Sequence, residues 1–226
     1  MEEEIQIFVE QELEGYLAGL ELDEGSKDAI RYHKARYEKS LNWIATMNPG
    51  EKLVLEMGGE SVTTRLIQRY FSTCSLQTTN FEFRRAFPLE DSVFDLVLCM
   101  EVIEHIFDLE ILQATTFSGV DHVLQEIHRI LRPGGQLFLT TPNASSTWVI
   151  QRTLLDQPPL AYENHFREFT FQEMCSRVQG AGFDIIKAGT ETVWADWDFK
   201  HITDFMRANG YSLENRGDDT FIIARK

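Results

Sequence analysis

Cysteine is scarce in this chain, with three residues in 226. Cys74, Cys99 and Cys175 share no short spacing and lie in apolar or helical contexts, so a disulfide framework and a zinc site are both disfavoured. Basic charge is also short: 21 Lys and Arg stand against 36 Asp and Glu, a formal charge of −15. A polyanion gains little from releasing counterions onto such a surface, which argues against nucleic acid as a partner. No apolar run reaches the roughly 20 residues of a membrane helix, so no membrane span is expected. The opening MEEEIQIFVEQELEGYL lacks the basic residues of a signal or transit peptide. It reads as a retained amphipathic helix of a cytoplasmic protein.

What is present is core material. The 43% apolar and 12% aromatic content suffices for one substantial globular unit. Residues 1–48 pattern as helices, one over about 3–20 and a second over about 26–47, with Ser26 as N-cap and Asn48-Pro49-Gly50 as the stop. We expect them to form an N-terminal helical cap on a main unit spanning 49–226. After Gly50 strands and helices alternate, the sign of a mostly parallel sheet covered by helices. The clearest strands are KLVLEM (52–57), FDLVLCM (94–100), GQLFLTTP (135–142), FDIIKAG (183–189) and TFIIAR (220–225). Weaker ones are CSLQTT (74–79) and FEFRR (81–85), and helices are expected over about 62–71, 101–106, 120–131, 145–155 and 170–181. The long connections 106–120 and 190–216 are candidate walls of a binding site or an oligomer contact.

The segment LVLEMGGESVTTRLI is a strand, a short Gly-containing loop and a helix, the opening of a nucleoside-binding α/β unit. A pyrophosphate binder needs G-x-G-x-x-G, so that bare backbone amides at a helix start face the phosphates. Here Gly58 and Gly59 are followed by Glu60, and Glu56 ends the strand. Two carboxylates repel a diphosphate. They suit a cofactor with a positive centre and hydroxyls, a description that fits S-adenosyl-L-methionine.

Three further segments follow in order: PLEDSVFDLVLCMEVIEHI, LQEIHRILRPGGQLFLTTPN, and HFREFT with GAGFDI. Over roughly residues 50–190 the sequence resembles class I S-adenosylmethionine-dependent methyltransferases. The resemblance implies a Rossmann-like α/β fold: a seven-stranded, mostly parallel sheet, helices on both faces and the last strand antiparallel. It also implies that Glu56, Gly58 and Gly59 form the first cofactor loop and that Glu82 lies near the adenine. Cys99, Met100 and Glu101 would border the methionine part. Gln77, Thr78 and Thr79 stand where that family often has an acid for the ribose.

In E-V-I-E-H, Glu101, Glu104 and His105 have i, i+3, i+4 spacing, which on a helix puts all three on one face. Two carboxylates and an imidazole are plausible ligands for Mg²⁺ or Mn²⁺, with His165 of YENHFREFT as a fourth. The arrangement is similar to metal-dependent O-methyltransferases that act on small-RNA ends and, for its first three residues, to those of ubiquinone synthesis. Without a metal, His105 or His165 can serve as general base, with Glu101 beside it. RYHKARYEK (31–39), Trp148, Trp194 and Trp197 are further candidates for contact with an acceptor.

The function expected is methyl transfer, to oxygen on a small-molecule, sugar or lipid-like acceptor. The alternatives are an inactive methyltransferase-like binding module and a metal-dependent RNA 2′-O-methyltransferase. Oligomerisation stays open.

Overall fold

The structure is a computed structural model that describes residues 2–108, 117–162, 164–194 and 199–226. Six strands form a single sheet in the order β2-β1-β3-β4-β6-β5. They are β1 (Leu53–Met57), β2 (Ser75–Thr79), β3 (Phe94–Met100), β4 (Leu131–Pro142), β5 (Asp184–Glu191) and β6 (Asp219–Arg225). Strands β2, β1, β3 and β4 run parallel, whereas β6 is antiparallel to both of its neighbours, β4 and β5. The mostly parallel sheet with a reversed last strand is thus as expected.

Alternation along the central strands divides the interior into two cores. Val54, Leu96, Leu98, Phe138, Phe221 and Ile223 face one side. There they meet α1 (Glu2–Ala18), through Ile5, Val9, Leu13 and Leu17 at four-residue spacing, and also α3 (Lys34–Thr46) and α4 (Val62–Tyr70). Leu55, Val97, Cys99, Leu137, Leu139, Ile222 and Ala224 face the other side. This second core is closed by α5 (Ser118–Ile130) and α7 (Phe171–Gly180). A strand buried on both faces is apolar at most positions, which is why these segments read as nearly continuous apolar runs. The set is completed by α2 (Glu24–Arg31), α6 (Thr147–Leu154) and α8 (Lys200–Ala208). Among the described residues no helix is long and apolar enough to cross a membrane.

The structure corrects three local expectations. The helix expected over 26–47 is two helices, broken at Tyr32-His33, and Asp23 rather than Ser26 caps the first, accepting from the Ser26 amide at 2.8 Å. FEFRR is not a strand, so the described residues contain six strands and not seven. Phe81 and Phe83 instead cluster with Phe87, and Glu82 closes a turn onto the Arg84 amide at 3.1 Å. Residues 101–106 are not an α-helix: Glu101 has φ +54°, and only a single 3₁₀ turn follows, at Ile103–His105. The connection 106–120 lies partly, and Trp197 wholly, outside the described residues.

Candidate active site

The chain leaves β1 to build β2 on one side and β3 on the other, so the carboxyl ends of β1 and β3 flank a crevice. Ligands of open α/β sheets bind at such switch points. Three adjoining cavities, of about 320, 530 and 370 Å³, open here. Glu101 lines all three, Arg36 lines the first and second, and Gly58 the first and third.

The first cavity lies over the β1–α4 turn. Gly58 and Gly59 have φ +105° and +85°, and both amides donate to the Thr79 carbonyl, at 3.0 and 2.9 Å. A side chain at Gly58 would be strained by its φ and would put a Cβ 3.2 Å from Val102. Ser61 and Thr64 close a capping box on α4, and Ser61 faces Glu56 at 3.5 Å. Glu56 is 3% exposed and its Oε2 has no hydrogen-bond partner among the described residues. Burial pushes its carboxyl up to about 7, against smaller downward pulls from Thr64 and Ser61.

On the far wall stands Arg36, delivered by α3. Its Nη1 donates to Glu101 Oε2 at 2.7 Å, while Thr140 donates to Glu101 Oε1 at 2.8 Å. These bonds hold Glu101 at the tip of β3, where its amide also continues the ladder to the Thr140 carbonyl. Met100 lines this cavity as well. Cys99 does not: it is fully buried in the second core, where desolvation pushes its thiol up.

The third cavity is walled by Asn80, Phe81, Glu82, Arg84 and Phe107. Glu82 is already clasped by Arg84, at 2.8 and 2.7 Å, and that hydrogen bonding draws its carboxyl down to about 2. The Arg84 guanidinium lies over the Phe107 ring at 3.5 Å. Asn80, immediately after β2, places a neutral amide beside Gly59.

The second cavity has aromatic walls, Tyr32, Trp148, Tyr162 and Trp194, and a polar floor of Glu101, Glu104, His105 and His165. Trp148 and Trp194 meet edge to face at 6.0 Å. The amides of Phe166 and Arg167 donate to the Glu104 carbonyl, which brings the His165 loop against the 3₁₀ turn. One ligand atom each from Glu104, His105 and His165 lie within 4.8 Å of one another, and Glu101 is outside this group. Glu104 is 1% exposed, accepts from Thr141 at 3.1 Å through Oε2, and has no partner for Oε1 among the described residues. Its burial and the nearby Glu101 raise its pKa well above the ordinary carboxylate value. His33 also lines this cavity, and desolvation lowers its imidazole to about 4, so it is neutral at physiological pH.

The structure therefore gathers Glu56, Gly58, Gly59, Met100 and Glu101 around one cavity, and Glu104, His105 and His165 around its neighbour. It leaves Cys99 in the core and Glu82 bound to Arg84. Sequence patterning missed the particular importance of Arg36, Asn80, Thr140 and Glu168. For Arg36 the only signal was the basic cluster in which it sits.

A six-stranded sheet of this order, with its crevice at the β1–β3 switch, defines a Rossmann-like protein of the class I methyltransferase type. A family model described as a methyltransferase domain matches residues 30–188, and the chain belongs to that family. A curated relative from Mycolicibacterium smegmatis, a probable S-adenosylmethionine-dependent methyltransferase, is 34% identical over 98 residues. The match covers 43% of this chain and 32% of the relative, so the chain spans about a third of that protein's length. The fold is similar to the crystal structure of a SAM-dependent methyltransferase from Archaeoglobus fulgidus, at 12% identity and a TM-score of 0.60 over 86% of this chain and 94% of that one. It is also similar to the YcgJ protein of Bacillus subtilis, at 14% identity and a TM-score of 0.51 over 83% and 98% of the two chains.

Proposed function

We propose that this chain transfers a methyl group from S-adenosylmethionine to an oxygen of a small-molecule acceptor held in the aromatic-walled cavity. The observation that carries this reading is the position of Glu101, which lines all three cavities and so marks where cofactor and acceptor meet. Arg36 and Glu56, in the first cavity, offer a guanidinium to the carboxylate of a zwitterionic amino-acid end and a buried carboxyl to its ammonium, which would favour the ionised form of Glu56. Asn80 offers an amide for ribose hydroxyls. No G-x-G-x-x-G turn is present to take a diphosphate. In this reading residues 1–48 act as a cap, supported by Tyr32, His33, Arg36, Tyr37 and Ser40 lining the cavities.

When bound, S-adenosylmethionine supplies a carbon already activated by its sulfonium, so the protein's task is mainly alignment, worth roughly 7–11 kcal/mol. The aromatic walls orient the acceptor, and His105 or His165 takes its proton. Three free cysteines favour a reducing, cytoplasmic setting. Titration calorimetry tests the proposal. S-adenosylmethionine and its demethylated product should bind and NAD should not; binding of neither nucleoside would favour an inactive module.

A second reading adds a divalent ion. Glu104, His105 and His165 would hold it, and the unpartnered, buried Oε1 of Glu104 fits a ligand oxygen awaiting a cation. The carboxylate favours Mn²⁺ or Mg²⁺ and the two imidazoles pull toward a softer divalent ion, so Mn²⁺ suits the set better than Mg²⁺; such an ion acidifies a hydroxyl bound to it.

A further inference from the structure

We propose that Glu168 is the positioning residue of this site: it fixes the ring of His165 in the Nδ1–H tautomer and leaves Nε2 as the nitrogen available to the acceptor cavity. The use made of Nε2 rests on the methyl-transfer reading; the tautomer does not. Glu168 Oε1 lies 2.6 Å from His165 Nδ1, with both side chains under one-tenth exposed. An oxygen that already accepts the Ala161 amide is the acceptor toward Nδ1 as well, so the proton between these atoms belongs to the imidazole. Glu168 thus ties both ends of the short loop that carries Tyr162 and His165, two walls of the acceptor cavity.

The second imidazole follows the same pattern. His105 Nδ1 lies 3.3 Å from the Asn164 carbonyl, an obligate acceptor, so this ring also carries its proton on Nδ1. The two rings meet nearly edge to face, with centroids 4.9 Å apart. Two imidazoles with their Nδ1 protons directed at fixed acceptors leave two Nε2 lone pairs. That is the arrangement required both of a base, which must accept a proton from the acceptor, and of a ligand, which must donate a pair to a cation. A carboxylate buried only for packing would be costly, since taking a charge from water without a partner is unfavourable. The bond to His165 Nδ1 gives the burial of Oε1 a reason, while Oε2 has no partner among the described residues.

Long-range ¹H–¹⁵N spectra of the full-length protein at mildly alkaline pH read the tautomer directly. His165→Gln assigns the signals by their loss. In the unmodified protein His165 should show a protonated Nδ1 and an unprotonated Nε2. In Glu168→Gln, which keeps an acceptor for the Ala161 amide, the amide can also donate to the ring, and the two nitrogen signals should move toward the averaged values of mixed tautomers. An Nε2–H tautomer in the unmodified protein overturns the proposal, and that spectrum decides even if the variant does not fold. An unchanged tautomer in folded Glu168→Gln overturns it too. Calorimetry with S-adenosylmethionine on the unmodified protein is read separately, so loss of cofactor binding counts against the methyl-transfer reading and not against the tautomer.

Discussion

Arg36 Nη1 and Glu101 Oε2, 2.7 Å apart, join the N-terminal helices to the tip of β3. The two side chains are 20% and 19% exposed, so the pair is mostly withdrawn from water. Glu101 could not sit there as a lone anion at low cost, and its bond offsets part of the cost of burying Arg36, on which Asp219 and Glu104 also act. Their bond makes one wall shared by the cofactor and acceptor cavities.

Removing the guanidinium should therefore cost more than loss of a surface pair. Arg36→Met is expected to destabilise the protein by about 2–3 kcal/mol, somewhat below the range for fully buried pairs because of the residual exposure. Arg36→Lys should fall between the two, since it keeps the charge and loses the fork. Urea denaturation measures both; a loss under about 0.5 kcal/mol for Arg36→Met would mark the pair as incidental.

Glu56 gives a pH dependence of definite sign. Burial raises its carboxyl to about 7 in the folded chain, above the unfolded value, so the folded state favours the protonated form. Its contribution is complete below the unfolded pKa and is lost as pH rises through about 7. Stability without ligand should decline between about pH 5 and pH 8, and Glu56→Gln should flatten that slope. Equal slopes for the two proteins would show that Glu56 is not the group responsible.

Gly58→Ala tests the turn. The φ of +105° and the 3.2 Å approach to Val102 leave little room for a methyl group. The expected cost is about 1–3 kcal/mol, with weaker binding of S-adenosylmethionine. Wild-type stability and affinity in this variant would mean that the turn relaxes freely.

For the ion, Glu104→Gln and His165→Ala should each abolish Mn²⁺ binding followed by electron paramagnetic resonance. Unchanged affinity in both would leave the three-ligand cluster without a metal role.

The strands were legible because sheet burial on both faces forces apolar runs such as FDLVLCM, and helices of the second core because their apolar residues recur every three to four positions. FEFRR misled for a related reason: Phe83 is buried and Phe81 half-buried, but in an aromatic cluster and not a sheet. The E-V-I-E-H spacing assumed a helix. The left-handed Glu101 backbone, fixed by contacts to Arg36 and Thr140 distant in sequence, prevents one. Glu104, His105 and His165 still converge, because backbone hydrogen bonds from Phe166 and Arg167 bring the loop to the turn. Arg36 was hidden because its partner Glu101 is 65 residues away. Glu168 lies near its partners His165 and Ala161 in sequence, but outside a helix that spacing does not mark a contact, so it reads like a surface charge.

The most direct test is a crystal structure with the demethylated cofactor product. The account places the amino-acid end between Arg36 and Glu56, the ribose by Asn80, and the sulfur facing Glu101 and the aromatic cavity. Density for that ligand outside this crevice, or a crevice filled by side chains, would contradict it.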